Sequence, residues 1–400
     1  MTTTAPATAA AACEAAALEG GFALYVHWPF CLHRCPYCDF NSHVRPRLPQ
    51  EDFRRALLAE LDRAGAETAG RTLDAVYFGG GTPSLMEPAT VAAVLARTAR
   101  WWRLPAEAEI TLEANPTSAE AARFRDFRAA GVGRLSLGVQ ALDEAGLRLL
   151  GRRHTAAEAL AALERAAAIF PRWSCDLITA RPGQTEAGWR RELLRVAPLL
   201  GDHLSVYELT IEPGTPFHRL HREGRLVLPD EERRLRLAAV TAEVLGGLGF
   251  APYEVSNWAR PGGASRHNLV YWRSGDWVGL GPGAHGRLTL GGRRIATVRI
   301  RRPEAWLRAV AVRGSGEESR EALTPREILL EGLLMGLRLA EGVSLARLER
   351  LAGLPVAAVV DTAALEGLVA AGDLVREGER LRATARGRAR LDAVLAALLR

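Results

Sequence analysis

Short runs of β-branched, aromatic and aliphatic residues recur along the first half of the chain, and amphipathic segments separate them. Because strand-like runs alternate with helix-like segments, they predict a parallel β-sheet covered by helices. Either a doubly wound sheet or a partial barrel fits this α/β alternation. The strand-like runs are Leu24–Trp28, Ala75–Phe78, Glu109–Glu113, Arg134–Val139, Ser174–Ile178 and Leu204–Leu209, and the helical segments between them include Glu51–Ala64, Pro88–Trp102 and Ala156–Phe170.

Residues of unusual chemistry follow these predicted strands. Three cysteines come after the first run, and three glycines and Thr82 come after the second. Glu113 and Asn115 end the third run, Gln140 ends the fourth, and Asp176 lies within the fifth. In both candidate architectures, ligands bind at the carboxyl ends of the parallel strands. The sequence therefore predicts one binding site at that edge of the sheet, to which several strands contribute.

The pattern changes after about residue 240. Residues 251–300 are rich in Gly, Trp, Tyr and His, and residues 323–400 have the pattern of three helices, a hairpin over Asp373–Ala383 and a last helix. That order of elements is typical of a winged-helix-like module. We therefore expect four segments: a weakly ordered tail over residues 1–20 with an incidental Cys13, a barrel or sheet domain over 21–245, a connecting region over 246–320, and a small C-terminal α+β domain over 321–400.

All 52 basic residues are arginine, so the chain has neither a Schiff-base lysine nor a phosphate-loop lysine. The formal charge of +6 reflects this general arginine bias, and we expect no nucleic-acid partner from it. No run of strongly apolar residues is long enough to predict a transmembrane segment, and the Ala/Thr-rich N-terminus does not resemble a secretory signal. Five cysteines do not make a disulfide framework, which favours a reducing, cytoplasmic location.

Three of the five cysteines fall within eight residues, in the segment Cys31-Leu-His-Arg-Cys35-Pro-Tyr-Cys38. Three thiolates on a short loop can ligate three corners of a [4Fe-4S] cubane and leave the fourth iron open to another ligand. A structural zinc site normally uses four protein ligands, and His33 or His43 could supply the fourth. We expect Cys31, Cys35 and Cys38 to hold an iron–sulfur cluster, with zinc as the alternative.

The spacing C-x3-C-x2-C, with an aromatic residue before the last cysteine, resembles the radical S-adenosylmethionine (SAM) superfamily. The resemblance implies a partial (β/α)6 TIM-like barrel in which SAM chelates the open iron through its amino and carboxylate groups. It also implies that one electron from the cluster can cleave SAM to methionine and a 5′-deoxyadenosyl radical, while the protein positions the cofactors. Tyr37, which precedes Cys38, is then expected to pack near the adenine.

Further positions match this superfamily in order along the chain. The strip Phe78-Gly79-Gly80-Gly81-Thr82-Pro83 resembles the one that pairs with the amino group of SAM, although a plain strand-to-helix turn gives the same pattern. The resemblance also implies a carboxylate contact to SAM, an arginine paired with the SAM carboxylate and an aspartate on the ribose hydroxyls. The implied SAM-binding residues are Tyr25, Tyr37, Gly80, Gly81, Thr82, Glu113, Gln140, Arg152 and Asp176.

Longer stretches resemble the coproporphyrinogen dehydrogenase-like family within that superfamily, over roughly residues 22–395. In its HemN branch, the oxygen-independent coproporphyrinogen III dehydrogenases, a fourth cysteine lies two residues after the third. This chain has Phe40 there, as the HemW-type heme chaperones do. The stretches that carry the resemblance are Tyr25–Phe30, Gly183–Thr185, Tyr207–Pro216, Tyr253–Asn257 and Gly279–His285.

The heme chaperone branch also carries an H-N-x-x-Y-W motif, which here is His267-Asn268-Leu-Val-Tyr271-Trp272. Imidazole is a natural axial ligand for heme iron, and Tyr and Trp offer flat stacking surfaces. An ordinary loop histidine bonded to backbone is the alternative for His267. The resemblance favours heme binding through His267 and transfer of heme to an unidentified acceptor, for example a membrane-bound respiratory component met at the inner face of the membrane.

Two other functions compete with the heme chaperone. One is oxygen-independent coproporphyrinogen III dehydrogenase, a radical decarboxylation of propionates to vinyls. The other is a nucleic-acid modifier, suggested by the arginines of the winged-helix-like region. Phe40 and the H-N-x-x-Y-W motif favour the chaperone, so SAM cleavage is compatible with the site but dehydrogenase activity is not expected. One departure concerns Arg181, which stands beside the expected SAM pocket where the family has an apolar residue.

Overall fold

The computed structural model describes residues 5–399, with side chains from residue 9 onward. The helices are α1 (Ala5–Glu19), α2 (Gln50–Thr68), α3 (Pro88–Trp101), α4 (Ser118–Ala121), α5 (Phe124–Ala129), α6 (Glu144–Leu149), α7 (Ala156–Ile169), α8 (Glu186–Val196), α9 (Pro216–Arg222), α10 (Glu231–Gly247), α11 (Arg266–Trp272), α12 (Pro303–Arg313), α13 (Pro325–Gly336), α14 (Leu345–Ala352), α15 (Thr362–Ala370), α16 (Ala385–Ala389) and α17 (Leu391–Leu398). The strands are β1 (Phe22–Trp28), β2 (Phe30–Cys31), β3 (His43–Val44), β4 (Ala75–Gly80), β5 (Glu109–Ala114), β6 (Arg134–Gln140), β7 (Arg172–Thr179), β8 (His203–Glu208), β9 (Ala251–Pro252), β10 (Asn257–Ala259), β11 (Asp276–Leu280), β12 (His285–Leu290), β13 (Arg293–Arg299), β14 (Glu317–Ala322), β15 (Val343–Ser344), β16 (Leu374–Glu377) and β17 (Arg380–Ala383).

Twelve of these strands form one sheet, in the order β14-β13-β12-β11-β1-β4-β5-β6-β7-β8-β10-β9. From β1 to β8 the neighbours are parallel and follow the chain order, with helices in the crossovers. A doubly wound sheet would change direction at a switch point, and this one does not. The expected partial (β/α)6 barrel is therefore confirmed, and each predicted strand overlaps its observed counterpart.

The two faces of the barrel strands differ in chemistry. On one face, apolar residues such as Leu24 and Phe78 are fully buried in the main hydrophobic core. Because successive side chains of a strand point to opposite faces, the residues between them share the other face. That second face is polar: Tyr25 pairs with Tyr77, Glu113 with Ser136, and Asp176 with Ser205 in the strand register. We call it the polar face of the barrel.

The region over residues 246–320 extends the sheet at both of its edges. Strand β11 pairs in parallel with β1, and β12, β13 and β14 continue from it in antiparallel fashion. At the opposite edge, β10 pairs with β8. Helix α11 contacts β1 and β4, and its His267 ring lies against Tyr25 and Tyr77. This region therefore brings the H-N-x-x-Y-W motif onto the polar face.

The structure corrects the expectation of a weakly ordered N-terminal tail. Residues 5–19 form the helix α1, and residues 1–4 of that expected tail lie outside the described residues. Alanine has the highest helix propensity, and the small side chains of Ala16 and Ala17 are buried where α1 contacts α14. Cys13 is buried in the same contact, and its thiol donates to the Leu351 carbonyl oxygen at 3.2 Å.

The C-terminal part of the chain has a hydrophobic core of its own, built from α13 to α17 and the three-stranded sheet β15-β17-β16. Arg347 on α14 connects it to the rest of the molecule. Its buried guanidinium donates to the carbonyl oxygens of Ala16, Arg273 and Ser274, which lie at the ends of α1 and α11. Among the helices of residues 5–399, none combines the length and apolarity needed to cross a membrane.

Candidate functional site

The three motif cysteines lie on β2 and the loop that follows it, at the carboxyl end of β1. All three are free thiols and partly exposed. The Thr82 hydroxyl donates to Cys31 Sγ at 3.2 Å, and Arg152 Nη1 donates to Cys35 Sγ at 3.6 Å. Donors from a hydroxyl and a guanidinium stabilise the thiolate form, which is the form that binds iron. The donor set therefore fits an iron–sulfur cluster.

The zinc alternative finds less support. In the part of the chain that the structure describes, no group of three or more His, Cys, Asp or Glu side chains is arranged to hold a single metal ion. The two histidines have other contacts: His33 Nδ1 lies 3.3 Å from Arg153 Nη2, and His43 Nε2 lies 3.3 Å from Asn41 Oδ1. A cubane binds three thiolates at three different irons, so a cluster does not require the cysteines to meet at one point.

Burial affects the protonation of these thiols. It raises the pKa of Cys31 to about 11, with the Thr82 hydroxyl opposing that rise, and it raises the pKa of Cys38 as well. Iron binds thiolate, so ligation at these positions releases protons. Burial therefore favours the thiol form of Cys31 and Cys38 until a metal binds.

The glycine strip at the end of β4 is packed tightly against the segment that leads into the cysteine loop. A Cβ on Gly80, where φ is +115°, would lie 2.6 Å from the His27 ring, and a Cβ on Gly81 would lie 2.7 Å from the Phe30 carbonyl oxygen. The amides of this strip bond within the protein: Gly81 donates to the Trp28 carbonyl, and Gly80 donates to Glu113 Oε2 at 3.2 Å. The amino group of SAM donates hydrogen bonds and needs acceptors. The fact that these backbone amides are already paired therefore does not conflict with the expected contact to SAM.

Two carboxylates predicted from the sequence are half-buried side chains of the polar face. Glu113 accepts from the Tyr77 hydroxyl at 2.8 Å as well as from the Gly80 amide, and burial raises its pKa to about 7. Asp176 accepts from the Ser136 hydroxyl at 3.0 Å and from the Ser174 hydroxyl at 3.3 Å, and burial raises its pKa as well. Each carboxylate is held by donors and stays partly exposed, as a ligand-binding acid must be.

Arg152 joins the cysteine loop to the ends of two strands. Its Nη2 donates to Asn115 Oδ1 at 2.6 Å and to the Gly138 carbonyl at 2.7 Å, while its buried Nε has no hydrogen-bond partner in the described residues. Gln140, at the end of β6, has φ +68° beside a shift in the strand register. Left-handed backbone at a non-glycine residue is strained and concentrates at functional sites. A guanidinium with an unused donor beside Cys35 is suited to an anionic ligand.

The two tyrosines assigned to SAM lie in different surroundings. Tyr37 packs on Phe217 of α9 with 6.4 Å between ring centroids, and the Phe217 amide donates to the Pro36 carbonyl, which fixes the cysteine loop. Tyr25 lies on the polar face, where its hydroxyl is 2.9 Å from His27 Nδ1. The structure therefore brings Tyr37 close to the cysteines and places Tyr25 deeper in the barrel.

His267 is buried, with 3% of its surface exposed, in a layer of aromatic rings. Its ring stacks on Tyr77 with 4.4 Å between centroids and 18° between planes, and Tyr271 lies 4.3 Å away. Burial lowers the pKa of His267 to about 3, so the ring is neutral, and its Nδ1 has no hydrogen-bond partner in the described residues. This helical histidine is unlike the backbone-bonded loop histidine that the sequence left open.

Phe40 and Arg181, which distinguished this chain within its family, both point away from the polar face. Phe40 is 60% exposed on the surface of the cysteine loop. Arg181 is buried beside α8, where it pairs with Glu192 and lies 3.1 Å from Asp143 Oδ2. The departure at Arg181 therefore affects the packing behind β7. The preceding Ala180 has a left-handed backbone conformation, with φ +58°.

Sequence reasoning missed several polar residues that support the site. His203 on β8 and Tyr253 before β10 are buried or half-buried and hydrogen-bonded to each other at 2.9 Å. A signal was present, because polar and apolar residues alternate along β6, β7 and β8 instead of forming the continuous apolar runs of most parallel strands. The alternation indicates a barrel whose interior is a binding surface.

Comparisons with known proteins agree with this geometry. The radical SAM superfamily model matches residues 25–195, and the HemN C-terminal domain model matches residues 323–390. Bovine radical S-adenosyl methionine domain-containing protein 1, mitochondrial, is 44% identical over 327 residues, which cover 80% of this chain and 74% of the relative. The heme chaperone HemW of Escherichia coli K12 is 40% identical over 287 residues, covering 71% of this chain and 75% of the relative, and that of Bacillus subtilis is 34% identical over 325 residues, covering 81% and 85%.

Among solved structures, the coproporphyrinogen III oxidase HemN of Escherichia coli superposes with a TM-score of 0.78 at 24% identity, covering 94% of this chain and 89% of that one. At this identity the likeness shows the fold alone. The family-level matches imply a [4Fe-4S] cluster and SAM. The chain belongs to the radical SAM superfamily and, within it, to the HemW-type family.

Proposed function

We propose that this protein is a heme chaperone that carries a [4Fe-4S] cluster and SAM, binds heme and passes it to an acceptor protein. The observation that carries the proposal is the extended likeness, at 34–40% identity, to proteins named heme chaperone HemW. Phe40 supports it, because the position that holds a fourth cysteine in the dehydrogenase branch is an exposed phenylalanine here. The acceptor protein, the cytoplasmic location and the meeting with the acceptor at the membrane stay predictions.

The residues of the cysteine loop and polar face fit these two cofactors. Cys31, Cys35 and Cys38 would ligate three irons, and the donors from Thr82 and Arg152 would stabilise the cluster sulfurs. When bound, the cluster and SAM supply one-electron reductive cleavage of SAM. The other SAM-binding assignments are Tyr25, Tyr37, Gly80, Gly81, Glu113, Gln140 and Asp176, and the placement of Glu113 and Asp176 on the polar face supports them.

His267 is the proposed axial ligand for heme. Its ring is neutral, as iron ligation requires, and its unpartnered Nδ1 is free of competing hydrogen bonds in the described residues. The rings of Tyr77 and Tyr271 cover it, so heme binding at this position requires the aromatic layer to open. We therefore expect heme binding to be slower than SAM binding and to perturb the fluorescence of Trp272, the last residue of the motif.

The ligand assignment is tested by heme titration of the anaerobically reconstituted protein. His267→Phe keeps an aromatic ring in the stack but removes the imidazole, and His221→Ala, at an exposed histidine of α9, is the control. We expect a changed Soret band and weaker heme binding in His267→Phe and unchanged spectra in His221→Ala. Wild-type spectra in both variants would remove His267 as the ligand.

The dehydrogenase is the second candidate, because the HemN C-terminal domain model matches residues 323–390. Its test is separate: the reconstituted protein is incubated with coproporphyrinogen III, SAM and a reductant, and the products are analysed for vinyl groups. We expect none. Formation of vinyl product would replace the chaperone by the enzyme.

A further inference from the structure

A chain of hydrogen bonds crosses the barrel from the carboxylate of Asp176 on β7 to the motif helix α11. The Ser174 hydroxyl lies 3.3 Å from Asp176 Oδ1 and 2.7 Å from His203 Nδ1. His203 Nε2 lies 2.9 Å from the Tyr253 hydroxyl, to which Asn268 Nδ2 donates at 3.1 Å. We call these five residues the Asp176–Asn268 chain.

The chemistry of its members gives this chain one direction. An amide nitrogen can only donate, and Asn268 Nδ2 donates to the Tyr253 oxygen, so the tyrosine proton is left for His203 Nε2. The buried His203 is neutral and therefore carries its own proton on Nδ1. Ser174 accepts that proton's hydrogen bond and directs its hydroxyl hydrogen to Asp176. The amide of Asn268 therefore sets the direction of every hydrogen bond in the Asp176–Asn268 chain.

A second contact joins the same helix to the other half-buried carboxylate. His267, which precedes Asn268, stacks on Tyr77, and the Tyr77 hydroxyl donates to Glu113. The first two residues of the H-N-x-x-Y-W motif are therefore each connected to one acid of the polar face, His267 through Tyr77 and Asn268 through Tyr253, His203 and Ser174.

We propose that Asn268 is a positioning residue for SAM, which acts through the Asp176–Asn268 chain to keep Asp176 an acceptor for ribose hydroxyls. The inference rests on SAM binding by the barrel and goes beyond the heme role given to the motif. With Ser174 donating to it, Asp176 is stabilised as a carboxylate and keeps lone pairs for the ligand. Helix α11 then connects the proposed heme ligand His267 with Asp176, the residue proposed to bind the ribose of SAM.

The variant Asn268→Asp tests the direction of the hydrogen bonds in the Asp176–Asn268 chain, because aspartate has nearly the same shape as asparagine. A carboxylate can only accept, so the tyrosine proton turns toward it, His203 shifts its proton to Nε2, and Ser174 donates to His203 instead of Asp176. The hydrogen bond that Asp176 loses is one to a charged group, so we expect the Kd for SAM to rise about 10-fold to 150-fold. Calorimetry on the reconstituted protein measures it, with Glu366→Gln, an exposed acid-to-amide change on α15, as the control.

A double-mutant cycle separates positioning from a general structural effect. In the Asp176→Asn background, Asn268→Asp should change SAM affinity by less than twofold, because the group through which it acts is gone. The 2′,3′-dideoxy analogue of SAM, which lacks both ribose hydroxyls, should bind wild type and Asn268→Asp equally. Tyr253→Phe interrupts the same chain and should weaken SAM binding even if Asn268→Asp does not fold.

Three outcomes would overturn the inference: unchanged SAM affinity in both Asn268→Asp and Tyr253→Phe, equal losses in the two backgrounds of the cycle, or equal losses for SAM and its 2′,3′-dideoxy analogue. Heme titration of the same variants keeps this result distinct from the chaperone proposal. Weaker SAM binding with wild-type heme binding supports the positioning role even if the chaperone proposal fails.

Discussion

The hydroxyl of Tyr77 donates to Glu113 at 2.8 Å while the ring of Tyr77 carries the stacked imidazole of His267. One side chain of β4 thus contacts both the half-buried acid proposed to bind SAM and the proposed heme ligand. Because the rings of Tyr77 and His267 are in direct contact, we expect a change at either partner to affect the other.

Glu113 should make stability depend on pH. Burial raises its pKa to about 7 from a usual 4.5, so the folded protein holds a proton that the unfolded chain has already released. Its contribution to the free energy of unfolding is therefore greatest below about pH 4.5 and is lost as the pH rises to about 7. Denaturation of the SAM-free wild type and Glu113→Gln across pH 4–8 measures it, as the difference between the two proteins.

Tyr77→Phe sharpens that measurement. The hydroxyl of Tyr77 lowers the pKa of Glu113, so its removal should move the loss of stability to higher pH while the ring stack remains. A pH profile that is the same in wild type and Glu113→Gln would contradict the assignment.

The ion pair behind β7 should be structural. Arg181→Leu restores the apolar residue usual in the family but leaves Glu192 buried without its cation, which should cost about 3–5 kcal/mol of unfolding free energy. Arg181→Leu with Glu192→Gln should recover most of the loss, since the amide oxygen still accepts from the Leu142 backbone. SAM affinity should stay unchanged in both variants. Weaker SAM binding in the rescued double variant would place Arg181 in the site.

The Thr82 hydroxyl should tune the cluster. Thr82→Val removes the donor to Cys31 Sγ and keeps the side-chain shape, so the cluster should assemble with about four iron atoms per chain but become harder to reduce. Thr90→Val, at a buried threonine whose hydroxyl lacks a partner in the described residues, is the matched control. Equal midpoint potentials in the two variants would show that the contact has no electronic effect.

Loss of the cluster should distinguish the motif cysteines from the buried Cys175 of the hydrophobic core. Cys35→Ala should lose the iron and the SAM-dependent change in the EPR spectrum, whereas Cys175→Ala, on the apolar face of β7, should keep both. Full iron content and a SAM-perturbed signal in Cys35→Ala would contradict the ligand assignment.

The sequence by itself determined the parallel α/β sheet and the cysteine loop, and its resemblance to a known family indicated the barrel and the candidate SAM residues. Strand runs separated by helices allow few topologies, and the spacing Cys31, Cys35 and Cys38 is a local property that survives any folding of the rest. The N-terminal helix α1 was missed because its Ala-rich segment gains its stability from contacts such as Ala16 against α14, more than 300 residues away.

Only the tertiary structure decided how the distant parts of the site meet. It turned Arg181 toward Glu192 and away from the polar face, and it seated His267 on Tyr77 rather than in an open pocket. The hydrogen bond between His203 and Tyr253 and the stack of His267 on Tyr77 depend on strand register and on the approach of α11 to the sheet, which local sequence does not encode. Motif spacing specifies which chemistry the chain carries, and packing of the polar face specifies which residues act on one another.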